Sequence, residues 1–232
     1  MRQLLSGYAP VTLAWGFLEV PLGSAVDFFL SWTRSVAGDV TGNAVSGQLE
    51  QLLASLDPLT HPPTKDLLVG TRSNWTAFFD NSTQGADAAS PMSYAARELS
   101  CRALAVTCVP NTLDEIFGRT KGSYGAVQFE LFGPSDTGFL NYERSIAATN
   151  DGGKWIFVAS GREQPFEEPE KYKSKKVSDR FTPDMLERYA KALGIDLFEP
   201  QFYGPNGYVV AKNGIVPRAR MTLDEVRGAA RS

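Results

Sequence analysis

The sequence predicts an α+β fold: a largely antiparallel sheet of about seven to nine strands with three main helices packed on it. Three observations carry that expectation. Residues 125–132 alternate, with Val127, Phe129 and Leu131 on one phase and Gln128 and Glu130 on the other, the pattern of a half-exposed antiparallel strand. Asn150-Asp151-Gly152-Gly153 separates two strand-like runs, 142–149 and 154–160, with residues that tolerate the positive φ of a tight hairpin turn. Only three segments combine apolar residues at helical spacing with start and stop signals.

The elements follow in chain order. Residues 11–20 read as a first strand. Ser24, with Asp27 three residues on, makes a variant capping box that opens a helix. Its stripe is Val26, Phe29, Leu30, Thr33 and Val36, broadened by Phe28 and Trp32, and Gly38 stops it. Residues 39–47 are rich in Gly, Asn, Thr and Ser and read as a connection. Residues 45–56 fit strand or helix; strand is favoured because Asp57-Pro58 and the loop 60–63 suit an extended path. Residues 65–70 and 73–80 then read as two short strands joined by a tight turn.

In the second half Ser90 caps a helix that has Pro91 at its first position and Met92, Ala95, Ala96 and Leu99 at i, i+3, i+4 and i+7. A buried strand follows at 102–109. Thr112-Leu113-Asp114-Glu115 reads as a capping box opening one helical turn that Gly118 closes. After the hairpin, the acidic run Glu163, Glu167, Glu168, Glu170 passes into the basic run Lys171, Lys173, Lys175, Lys176, which suggests a solvated loop. Thr182 and Pro183 start the last helix, striped by Met185, Leu186, Tyr189, Ala190 and Leu193 and ended by Gly194. A strand at 208–211 and a capped turn at 222–225 complete the chain.

The length suits one α+β domain spanning 1–232. A helix followed by several strands recurs at an offset of about 66 residues, which admits a reading as two fused αβββ halves, 1–85 and 86–212, with a short tail, 213–232.

Composition narrows the function classes. With 43% hydrophobic residues and a net charge of −3, the chain carries a core but lacks the basic excess of a phosphate-backbone binder, so nucleic acid is not expected as a partner. No window approaches the 18 or so apolar residues of a membrane span, so no membrane is expected either. The start, one basic residue and an apolar stretch broken by Ser6, Gly7, Pro10 and Glu19, makes a poor signal peptide and points to the cytoplasm. On that reading the sequons at Asn74 and Asn81 are coincidental.

Cys101 and Cys108 flank a strand-like run, at odd spacing and about 23 Å apart, which suits neither a disulfide nor a shared metal. The single histidine, His61, sits beside prolines and reads as an exposed spectator rather than a catalytic base. No nucleophile elbow, zinc-ligand spacing or glycine-rich phosphate loop is present, so neither a metal nor a cofactor is expected.

Two functional readings remain. The first is a non-catalytic protein-binding module, of the bacterial immunity or adaptor type, that neutralises or docks a partner protein. Its candidate contacts are the aromatics Phe198, Phe202, Tyr203 and Tyr208, set among Pro and Gly, and the acidic Glu167 and Glu168. The second is a carboxylate-based hydrolase or transferase in residues 72–98. There Asp80, Asp87 and Glu98 would supply acid and base while Arg97 or Arg72 orients an anionic group.

Overall fold

The computed structural model describes residues 3–116, 119–137 and 140–226. Its strands are β1 Ala14–Leu18, β2 Val40–Ser46, β3 Leu59–His61, β4 Lys65–Thr71, β5 Thr76–Asp80, β6 Ala103–Val109 and β7 Asp114–Ile116, then β8 Arg119–Lys121, β9 Ala126–Phe132, β10 Tyr142–Asp151, β11 Lys154–Gly161, β12 Tyr203–Lys212 and β13 Ala219–Met221. Its helices are α1 Leu22–Ala37, α2 Leu49–Ala54, α3 Ala89–Glu98 and α4 Pro183–Ala192. Nine strands form one antiparallel sheet in the order β11-β10-β9-β6-β1-β5-β4-β12-β2. The fold is therefore α+β, with three long helices on the sheet.

β9, β10 and β11 run as a meander, and β4 and β5 form a hairpin. The other pairings are distant: β1 lies between β5 and β6, and β12 enters late in the chain and lies between β4 and β2, pairing with both. Both faces of the sheet are apolar at its centre. On the first face α2, α4 and the segment ending at Tyr203 bury Trp15, Phe17, Phe79, Phe129 and Tyr189. On the second, α1 and α3 cover Leu18, Leu68, Phe78, Ala105 and Phe132.

The differences from the sequence expectation have local causes. α1 begins at Leu22, behind an uncapped Pro21, so Ser24 and Asp27 lie inside the helix rather than ahead of it; Gly38 ends it at φ 76°. Residues 49–54 are helix rather than strand: Gln48 and Gln51 cap one another's backbone, a box built from glutamines rather than from Ser, Thr, Asp or Asn. Residues 40–46 are strand rather than connection, because β12 supplies a ladder along their whole length that overrides turn-like composition. Thr112 does not cap a helix. Its Oγ1 accepts from Ser123 N at 3.1 Å across the β7–β8 hairpin, while Gly118 lies outside the described residues. Ser90 stands inside α3, donating to Asp87 Oδ2 at 3.0 Å, and Ala88 is the N-cap residue. Thr182 does cap α4, accepting from Met185 N, and Thr222 and Glu225 form the reciprocal box the sequence suggests.

Among the described residues no helix is long and apolar enough to cross a membrane. Cys101 and Cys108 belong to opposite sides of the sheet, and burial pushes both thiols up to about 11.

Candidate functional site

The polar set of residues 72–98 is spread along the molecule. Arg72 is exposed at the turn between β4 and β5, where it lines a hollow of about 380 Å³ with Asp196 and Glu199. Asp80 lies at the opposite end of that hairpin, paired in register with Asp66. Asp87 is exposed ahead of α3. Arg97 and Glu98 are exposed at the far end of α3, with Arg97 3.6 Å from Asp136 and its guanidinium 5.9 Å from the Tyr94 ring centre. Other members of the set are structural. Trp75 donates to Leu193 O at 2.9 Å, and Asn81 ties Thr64 N, Lys65 N and Pro58 O together.

Asp80 is the chemically unusual member. It is 5% exposed and Asp66 is 3% exposed. In an antiparallel pair, directly opposed residues share a face and stand about 5 Å apart, so two carboxylates confront each other. Asp66 is neutralised by Lys212 Nζ at 2.7 Å, whereas Asp80 accepts a hydrogen bond from Ser82 N at 2.8 Å. Burial raises both groups, and Asp80 reaches about 6, with the Asp66 and Asp87 charges adding to the rise. The pair is sealed in the sheet, away from Arg72, Arg97 and Glu98.

The aromatic and acidic candidates are also placed clearly. Phe198, Phe202 and Tyr203 are 9%, 4% and 3% exposed and belong to the core. Tyr203 accepts from Trp15 Nε1 at 3.2 Å and donates to Leu197 O at 2.7 Å, while Phe198 packs edge-on against Trp15. Tyr208 is half-buried over Gly42. Glu167, expected in a solvated loop, has a fully buried side chain bound to Arg144 at 2.6 Å, and Glu168 is held by Arg188. Phe198, Phe202, Tyr203 and Glu167 thus lie inside the chain rather than on its surface, and the segment packs its aromatics beneath itself.

A different surface is left open. The registers align Ser160, Ser145, Glu130 and Ala105 in one row across β11, β10, β9 and β6, with Val158, Ala147, Gln128 and Thr107 in the next row of the same phase. These rows lie on the face that α1 and α3 cover elsewhere. Among the described residues α1 packs on β2, β12 and β4, and α3 on β1, β6 and β9. Towards β11 the face is bare: Ile156 and Val158 are 41% and 54% exposed. The upper end of this face forms a groove of about 1010 Å³, floored by Glu130, Tyr142, Ser145 and Ser160 and rimmed by Glu143, Arg162 and Gln164.

Polar chemistry in the groove centres on Glu130 and Tyr142. The Tyr142 hydroxyl donates to Glu130 Oε1 at 3.1 Å. Burial raises Glu130, a rise the tyrosine opposes and Asp87 adds to. Burial and then the Glu130 charge push Tyr142 up to about 12. The floor therefore offers a carboxylate and hydroxyls beside an edge strand. Among the described residues no group of three or more His, Cys, Asp or Glu could hold a metal ion.

Sequence reasoning missed this groove because its residues are ordinary polar positions on alternating strands. One signal was present: in 126–130 and 145–160 a single phase mixes Gln, Glu, Ser and Ala with Ile156 and Val158, a composition that fits neither a core nor a fully solvated face. Comparison with protein-family models, curated proteins and solved structures returned no match.

Proposed function

We propose that the chain is a non-catalytic protein-binding module, of the immunity or adaptor type, that docks a partner protein over the uncovered end of its sheet. The observation that supports this reading is the bare face beside the groove, where a sheet otherwise covered by helices leaves apolar and hydrogen-bonding side chains open. Large exposed patches rimmed by polar groups mark interaction sites. The placement of Asp80, Asp87, Glu98, Arg97 and Arg72 does not favour the hydrolase or transferase reading, since the one carboxylate among them with a large shift, Asp80, is buried and set apart from Arg72, Arg97 and Glu98.

The test is capture of the tagged chain from its own cells at moderate salt, followed by native mass spectrometry, in parallel with Ser145→Arg, which fills the groove floor. A stoichiometric protein held by the parent chain and lost from Ser145→Arg supports the proposal. Recovery of the bare chain, of a chain carrying a small ligand, or of the same protein on both variants overturns it.

A further inference from the structure

The outer strand of the sheet carries its own pairing code. Gly152 and Gly153 adopt φ 58° and 91°, a two-residue turn with positive φ at both positions. Such a turn is closed by a hydrogen-bonded pair, here Asp151 and Lys154, and pairs alternate from there. Even-numbered residues of β11 therefore spend their backbone groups on β10. Trp155, Phe157 and Ala159 direct theirs to the open side, and in the described ladder β11 pairs with β10 alone. Gly161, at φ 86°, ends the extended run. The open donors and acceptors are thus centred on Phe157.

We propose that two copies of this chain pair antiparallel through β11, about a two-fold axis at Phe157, so that Lys154 of the partner subunit enters each groove. The operation matches residue 155 with 159 and 157 with 157, which offers up to about six backbone hydrogen bonds. It also sets Ile156 against Val158 twice, as non-hydrogen-bonded pairs, the closest approach an antiparallel ladder allows. These are the exposed apolar residues of the strand. A two-residue slip one way opposes Lys154 to Arg162 and draws the left-handed Gly161 into the ladder; a slip the other way opposes Lys154 to Val158. Charge and pattern select the centred register.

Residues 177–179 pack against β11 and β10, and beyond that contact the described edge carries none of the usual protections. It has no proline, and its one charge, Lys154, stands at its first residue. In the centred register the partner's Lys154 stands opposite Ser160, at the edge of the groove and at the end of the row that continues through Ser145 to Glu130, which lies three strand spacings, about 14 Å, across the sheet. Within one chain Lys154 is six residues from that row, about 20 Å along the strand. The pairing is a C2 interface, self-complementary as closure requires, and it does not depend on what the groove binds.

Sedimentation equilibrium on the intact chain from about 1 to 200 μM, a span that brackets small interfaces, tests the dimer. The mass is expected to rise from 25.3 kDa towards twice that value. Val158→Lys, at a position 54% exposed, is expected to stay monomeric with an unchanged circular dichroism spectrum and melting curve. A monomeric parent chain, or a Val158→Lys variant that dimerises like the parent, overturns the proposal.

Register is read from the double variant Ile156→Cys, Val158→Cys under mild oxidation. Interchain bonds joining positions 156 and 158 support it, and any other linkage or none overturns it.

Discussion

Two buried carboxylates in this protein have opposite circumstances. Glu167 has no exposed side-chain surface, yet Oε2 accepts from Arg144 at 2.6 Å and from Tyr172 at 2.8 Å, and Oε1 accepts from Gln164 N at 2.7 Å. Asp80 is nearly as buried and accepts from Ser82 N, but its cross-strand neighbour is a second acid. The contrast teaches that what meets a buried carboxylate decides its state. One whose lone pairs are met by a guanidinium, a phenol and an amide anchors its surroundings, whereas one that burial strips of water, with a single amide in return and a second carboxylate opposite, is driven towards its neutral form, here to about 6.

The largest expected effect comes from breaking the well-partnered site. Glu167→Ala leaves Arg144, whose Nε already lacks a partner among the described residues, as an uncompensated buried cation, and a loss of about 3–5 kcal/mol in urea unfolding is expected. Replacing both partners, with Arg144→Met and Glu167→Leu, should recover most of that loss, because the cost lies in the orphaned charge rather than in the missing pair.

Asp80→Asn should act in the opposite direction. The folded pKa lies above the ordinary carboxylate value, so the folded chain binds a proton more tightly than the unfolded one, and stability falls as pH rises from about 4 through 6. The amide keeps an acceptor for Ser82 N and offers Asp66 a donor. A gain of about 1–3 kcal/mol at pH 8, with a flatter stability profile between about pH 4 and 7, is expected from chemical denaturation at several pH values. An unchanged profile would show that burial does not hold the Asp80 carboxyl above its ordinary value.

Tyr189→Phe probes the rim of the Glu167 network. Its hydroxyl accepts from Glu168 N at 2.7 Å and lies 3.0 Å from Tyr172 Oη, so thermal melts should register a loss of about 1 kcal/mol. Arg97→Ala should lie within about 0.5 kcal/mol of the parent, because its pair with Asp136 is long and solvent-exposed. A larger loss at Arg97 than at Tyr189 would invert the comparison.

The same contrast explains what the sequence reveals. Val127, Phe129 and Leu131, the two-glycine turn and the Thr182 cap carry their signals within a few residues, and the structure has them in the expected places. Glu167 is bound to a residue 23 positions away, so a run of alternating charge reads as a loop until that partner is seen. β2 is held by β12, with Val40 opposite Lys212 across the ladder, and the Thr, Gly and Asn of β2 give no sign of so distant a partner. The groove is a place where a helix is missing over polar side chains, and no local pattern encodes what covers a strand. Arg72 and Asp80, close in sequence, are separated by the length of the hairpin arm between them.

The late arrival of β12 has a consequence for biosynthesis. The sheet can assemble from β11 through to β4 with only earlier residues, but β2 has no hydrogen-bonding partner in the described sheet until 203–212 have been made. A nascent chain therefore waits with a slot one strand wide, and α1, which contacts both β2 and β12, cannot seat fully until the slot is filled. Order of synthesis and order of assembly are opposed at this end of the molecule, and closing so long a span of chain carries a large loop-closure cost.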